Sequence, residues 1–416
     1  MNYLPNIDRS SFFNQLAFYS LLGSGAYIVL LWSPNVLGWF FSRYTKSMIF
    51  IFPWLMLWLA LSWQVVANRD HRLEILLMVS IIIFGIGNVF LSDAPSKSVA
   101  PMRNFLFTGI FTLWTSMFLL TDPRRRQWFD WFCVGALAVI LPVEGIAWLA
   151  RGNRGSSVFQ IFLLNPIPLG TLIILLSTGP VYLIVQKYFR LKPVGWLLVL
   201  LGGLLIFFTH KRGTWLALAA MLLVWMLFRG RRLRFLALSV LLAVGLTLAF
   251  QGQRLFARLD PKVLNHFTIL HRLELYPFAW HIWLNHPVMG IGLRPSNHES
   301  YLPDYRQHNN KLSRFPQTVA KLQTLDNMVL TGLVELGTIM PILYLGLITL
   351  IIGKYWRKLR SLPESSTLDW YRVLVLLGFA IHSLSYDSLL FPPVNWLFHV
   401  QMGIMAGYQA SGPASG

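Results

Sequence analysis

A single cysteine, Cys133, stands in the 416-residue chain, so no intramolecular disulfide can form and no cysteine-based metal site is available. It lies inside an apolar segment and carries no information about redox compartment. Charge is scarce too: 12% of residues are charged against 55% hydrophobic, and the mean hydropathy is positive. No soluble domain of this length has that balance, which makes the chain a polytopic membrane protein. Acidic residues are the scarcest group, 16 against 35 Lys and Arg, leaving a formal charge of +19. In a soluble protein that excess would suggest nucleic acid. Here most of the cations fall in short loops between apolar runs, so they are a topology signal, and no nucleic-acid partner is expected. There is no P-loop, no dinucleotide-binding glycine pattern, no HExxH and no Gly-x-Ser-x-Gly, which argues against ATP-driven work. The first apolar run lacks a small-residue cleavage site and many similar runs follow, so it reads as a retained span.

What is present is a series of runs near the length that crosses a hydrocarbon core. They fall at about 12–32, 47–66, 72–91, 102–120, 128–150, 167–186, 194–209, 213–228, 234–250, 325–353, 371–390 and 394–411. The expected fold is therefore an all-α polytopic membrane protein of about twelve transmembrane helices. Residues 1–250 hold spans one to nine, 251–324 form one large loop with amphipathic helices, and 325–416 hold spans ten to twelve and the tail. With both termini cytoplasmic, seventeen Lys and Arg fall inside and eight in the short outer loops, the positive-inside pattern. The loop 251–324 is then outside.

That orientation puts "THKRGTW" (209–215) at an outer bend, with His210, Lys211 and Arg212 consecutive. Cations there work against the orientation rule, so insertion does not explain them. Snorkelling to headgroups is the bland account; a functional site is the other, since ionisable groups near membrane depth are functional candidates by default. In the outer loop, "HRLELYPFAWHIWLNHPVMGIGL" (271–293) sets Leu275, Phe278, Ala279, Ile282 and Trp283 at helical spacing, then stops at "NHP" and a Gly-flanked turn. It reads as a short amphipathic helix lying on the outer membrane surface. Six loop histidines, including His298 and His308, show no tight metal-ligand spacing with carboxylates, and no metal or cofactor is expected.

One constellation stands out. Arg212 opens span eight, Arg272 opens the loop helix, and Asp326 and Asn327 stand at the outer start of span ten. Arginine grips phosphate oxygens bidentately and stays charged, and a carboxylate at that position can take a proton from a hydroxyl. Asp326 and Asn327 are equally good helix N-caps, a competing structural reading. Glu335, two to three turns further on, reads as an interior polar contact.

Taken in order, "NPIPLG" (165–170), "HKRGTW" (210–215), the 271–293 stretch, "LDNMVLTGLVELGTI" (325–339) and "DSLLFPPVNWLFHVQMGIMAG" (387–407) resemble the O-antigen ligase and polymerase superfamily. That resemblance spans roughly residues 150–410 and implies a GT-C-like, metal-independent glycosyltransferase of the bacterial inner membrane with a periplasmic active site. Its donor would be a polyprenyl-diphosphate-linked glycan, its acceptor a glycan or a lipid A core, and a chain-length regulator a further partner beside the lipid bilayer. Arg212 and Arg272 match the arginines thought to hold the donor diphosphate; Lys211, His210 and Asn327 would assist. Ligases usually carry His-Asn where this chain has Asp326-Asn327. The base is then Asp326, or His308 or His298 reaching in from the loop. The substitution tilts the reading toward a polysaccharide polymerase over a ligase, with a transporter or flippase of lipid-linked glycans as the alternative from another class.

Overall fold

The computed structural model describes residues 9–31, 71–151, 166–186, 189–209, 211–229, 267–293, 300–301, 325–361 and 367–408. Among these the regular structure is helical, without strands. In chain order the helices are α1 (Arg9–Leu31), α2 (Arg72–Leu91), α3 (Pro95–Phe105), α4 (Thr112–Leu119), α5 (Pro123–Arg151), α6 (Pro166–Leu176), α7 (Thr178–Val185), α8 (Lys192–Phe208), α9 (Arg212–Arg229), α10 (Phe267–Asn285), α11 (Met328–Leu336), α12 (Ile339–Ser361), α13 (Thr367–Ser383) and α14 (Pro392–Ala406). A π-helical turn, Leu106–Phe111, joins α3 to α4. Among the described residues four stretches are long and apolar enough to cross a membrane: Arg72–Leu91, Pro123–Leu149, Ile167–Val185 and Ile339–Ser361. The split between 209 and 213 and the one at "FPPV" both occur. The spans expected at 47–66 and 234–250 lie outside the described residues.

Large apolar side chains face outward along these helices, among them Ile83, Phe90, Leu149, Leu200, Leu216 and Ile342. In water such a surface would be a liability; toward lipid it is the solvated face. The centre of the bundle is α14, all of whose residues are buried, as a helix surrounded by protein requires. It packs against α1, α4, α6 and α12. Its polar residues are matched inside. Gln401 accepts from Arg372 Nη1 at 2.7 Å and donates to Thr178 Oγ1 at 3.0 Å. Arg372 Nη2 in turn binds both Asp130 oxygens at 2.6 and 2.8 Å. Arg372 is 2% exposed, and charges so buried persist only when paired. This pair ties α5, α13 and α14 together. It lies ten residues along α13 from His382, about 15 Å at the helical rise, and is architectural.

Span ten is not the continuous helix that its apolar run suggests. It breaks at Gly337, between α11 and α12. The turn after α10 fills the break. Ile291 N donates to Val334 O at 3.0 Å, Gly292 N to Glu335 O at 3.0 Å, and Thr338 N to Pro287 O at 2.9 Å. Asn88 on α2 donates to the Met289 and Glu335 carbonyls. Irregular backbone at membrane depth is tolerated where protein covers it, and here the coverage is a close backbone fit. Gly337 has φ +73°, and a Cβ there would fall 2.1 Å from Val288 O; Gly290, at φ +67°, would meet the Glu335 backbone at 2.5 Å. The loop helix is corrected as well. It begins at Phe267, so Arg272 lies in its second turn and does not open it. The face of Leu275, Phe278, Ala279 and Ile282 does not lie on lipid: it is buried against Leu325 and Val334 of the α11 segment. A second stripe, Tyr276, Trp280 and Leu284, is the exposed one.

Candidate functional site

The bend at 209–213 is seated by small residues. Gly213 faces the loop after α13, where an added Cβ would come 2.2 Å from Ser385 Oγ and push that hydroxyl aside. Gly170, the last residue of "NPIPLG", accommodates the Thr214 side chain in the same way. The next residue, Thr171, bonds His382 Nδ1 at 2.8 Å, and His382 Nδ1 is 2.9 Å from Ser388 Oγ. Thus α6, α9, α13 and the loop before α14 are locked at one end of the bundle. The Lys211 carbonyl accepts from the amides of Thr214 and Trp215 at 3.1 and 3.2 Å, starting α9 with Arg212 as its first residue. The positive end of an eighteen-residue helix therefore opens beside Lys211 and Arg212, a favourable setting for an anion.

The start of α11 comes to the same place. Leu325 is buried among Leu275 and Ile282 of α10, and the chain then turns through Asp326 at φ +49°. That is the left-handed region, which Asp and Asn enter more readily than other non-glycine residues. Asn327 follows as the cap: its Oδ1 accepts from Val329 N at 3.0 Å and Leu330 N at 3.2 Å. The two readings of this pair thus divide. The oxygen of Asn327 is engaged in capping, and the half-buried Asp326 is not part of that cap. Asn327→Ala should cost about 0.5–2 kcal/mol of stability, seen as a lower thermal unfolding midpoint.

Electrostatics links the two segments. Burial pushes the Lys211 ammonium below the ordinary lysine pKa, and the Asp326 carboxylate pulls it back up. Tyr386, in the loop after α13, is pushed up to about 12, first by burial and then by the charges of Asp387 and Asp326. Asp387, 2% exposed, accepts from Thr331 Oγ1 of α11 at 2.6 Å. Lys211, Asp326, Tyr386 and Asp387 therefore share one end of the bundle, at the first turn of α9. Asp387 entered the sequence reading only as the first residue of the 387–407 motif, and Tyr386 and His382 did not enter it. The available signal was an aspartate between apolar runs, directly before "SLLFPP".

Of the residues read from the sequence, Lys211, Asp326 and Asn327 and the backbone of Arg212 are in this cluster. Arg272 enters through α10, one turn from Leu275, which packs with Leu325. The side chains of Arg212 and Arg272, and His210, His298 and His308 entirely, lie outside the described residues. Glu335 is fully buried beneath the break, an interior position. Among the described residues no three His, Cys, Asp or Glu side chains group as metal ligands.

No curated protein matches the chain. Residues 197–345, however, match the family described as O-antigen ligase. The matched stretch runs from α8 into α12 and contains the 209–213 bend, α10 and the Asp326 turn. Over this segment the chain is similar to the O-antigen ligase family, in line with the resemblance read from its motifs.

Proposed function

We propose that the protein is an inner-membrane glycosyltransferase that moves a glycan from polyprenyl diphosphate to an acceptor sugar hydroxyl at the periplasmic face, acting as a polysaccharide polymerase. The observation that carries this reading is the juxtaposition of the Lys211-Arg212 helix start with the Asp326 turn inside the family-matched segment. A twelve-span frame with both termini cytoplasmic places that juxtaposition outside. The acceptor oxygen attacks the anomeric carbon of the donor sugar. The bond from that carbon to the phosphate oxygen breaks, and its electron pair leaves on the polyprenyl diphosphate. Asp326 takes the hydroxyl proton as general base. Arg212, Lys211, Arg272 and the positive end of α9 stabilise the charge growing on the diphosphate. Polymerase is preferred to ligase because aspartate replaces the histidine usual in ligases.

The test is to incubate purified protein with one lipid-linked repeat unit from its own host and no other acceptor, then resolve the products by size. A ladder of lengthening lipid-linked glycans is expected. Turnover that begins only when a lipid A core is added would make it a ligase. Donor binding without product under either condition would overturn the transferase reading in favour of a transporter or flippase.

Lys211 supplies a pH prediction. Its lowered pKa means that the cation loses its proton at a lower pH than an ordinary lysine, so donor affinity should fall early as pH rises into the alkaline range. Lys211→Arg stays charged and should flatten that loss. An unchanged alkaline limb in the variant would assign the titration to another group.

A further inference from the structure

We infer that a cavity of about 250 Å³ beside the Asp387 loop binds a neutral sugar ring of the acceptor glycan, an inference that rests on the transferase reading above. Its walls are Asn104, Phe105 and Thr108 of the α3 and π-helical segment, Leu389 and Leu390 of the loop, and Asn395 of α14. Leu389 and Leu390 follow Asp387 by two and three residues, and the Asp387 carboxylate is held by Thr331 in the first turn after Asp326. One loop therefore carries both a cavity wall and an anchor to the proposed base.

Three observations give the cavity its chemistry. Asn395 is 1% exposed, and its Nδ2 donates to Thr108 Oγ1 at 2.8 Å, while its Oδ1 has no hydrogen-bond partner. A buried carbonyl oxygen without a partner is rare in native proteins, and this one belongs to a cavity-lining side chain, an acceptor suited to a sugar hydroxyl. Thr108 sits in a π-helical turn, a rare element that gathers at functional sites. Finally, none of the described lining residues is charged. An anionic phosphate would find no counter-charge, whereas hydroxyls would find amide and hydroxyl groups and the C–H face of a sugar would find Phe105 and Leu390. The volume is below the roughly 300–1,000 Å³ of drug-sized sites and suits one ring.

The test uses the oligosaccharide released by mild acid from the host's lipid-linked repeat unit, with binding to full-length protein followed by ligand-observed NMR. Asn395→Leu should weaken binding about tenfold, the worth of one good hydrogen bond. Thr108→Val, close to isosteric, should weaken it in the same direction if the leucine variant fails to fold. In turnover, the acceptor KM should rise with kcat and donor KM unchanged. Wild-type protein that does not bind the oligosaccharide, or variants that bind it as wild type does, would overturn the assignment. Binding that depends on Asn395 in a protein that transfers nothing would keep the glycan site and remove the transferase.

Discussion

Asp326→Asn is expected to lower the transfer rate by about 10²–10⁴-fold, the usual contribution of a positioned general base. The variant is informative because it changes little else. Asparagine enters the left-handed region as readily as aspartate, so the turn at φ +49° survives, as does the cap that Asn327 supplies to α11. What disappears is the proton acceptor and the negative charge acting on Lys211 and Tyr386. Initial rates at saturating donor, with thermal unfolding measured in parallel, separate chemistry from folding. A variant that turns over at the wild-type rate would pass the role of base to His298 or His308.

Arg212→Ala should reduce kcat by about 10²–10³-fold, as removal of one donor to a developing oxyanion does. Arg212 is the first residue of α9, and alanine is the best helix former, so the helix should persist. Arg212→Lys should recover part of the rate: lysine restores the charge as a point and loses the planar fork that matches phosphate oxygens. Equal loss in the Lys and Ala variants would mean that bidentate geometry, more than charge, holds the donor. Wild-type activity in Arg212→Ala would remove the diphosphate clamp from the mechanism.

The parts that the sequence made legible are those governed by local pattern. Apolar length announced the helices, the cation-rich bend at 209–213 announced a break between α8 and α9, and the spacing of Leu275, Phe278, Ala279 and Ile282 announced an apolar face of α10, assigned to the membrane surface where the structure buries it against protein. Asp326 and Asn327 were visible as a pair, and their division into a left-handed turn and a cap was not, since both residue types cap equally well. Asp130 and Arg372 passed unnoticed because an isolated charge inside an apolar run barely lowers its average hydropathy; only the packing of α5 against α13 and α14 brings them to 2.6 Å. The break at Gly337 was hidden for a similar reason. Glycine is ordinary within membrane helices, and nothing in "VELGTIM" tells that a turn some fifty residues upstream supplies its hydrogen bonds.

By itself the sequence determined a helical membrane protein and a resemblance to the ligase and polymerase superfamily, because hydropathy and the order of short motifs are properties of the chain read in one dimension. Only the tertiary structure decided which polar groups meet: Thr331 with Asp387, His382 with Thr171 and Ser388, Asn395 with Thr108, and it set Lys211 within the field of the Asp326 carboxylate. In an apolar bundle a buried polar group persists when another element brings it a partner, and those partners stand tens to hundreds of residues apart in the chain, beyond the reach of any local pattern.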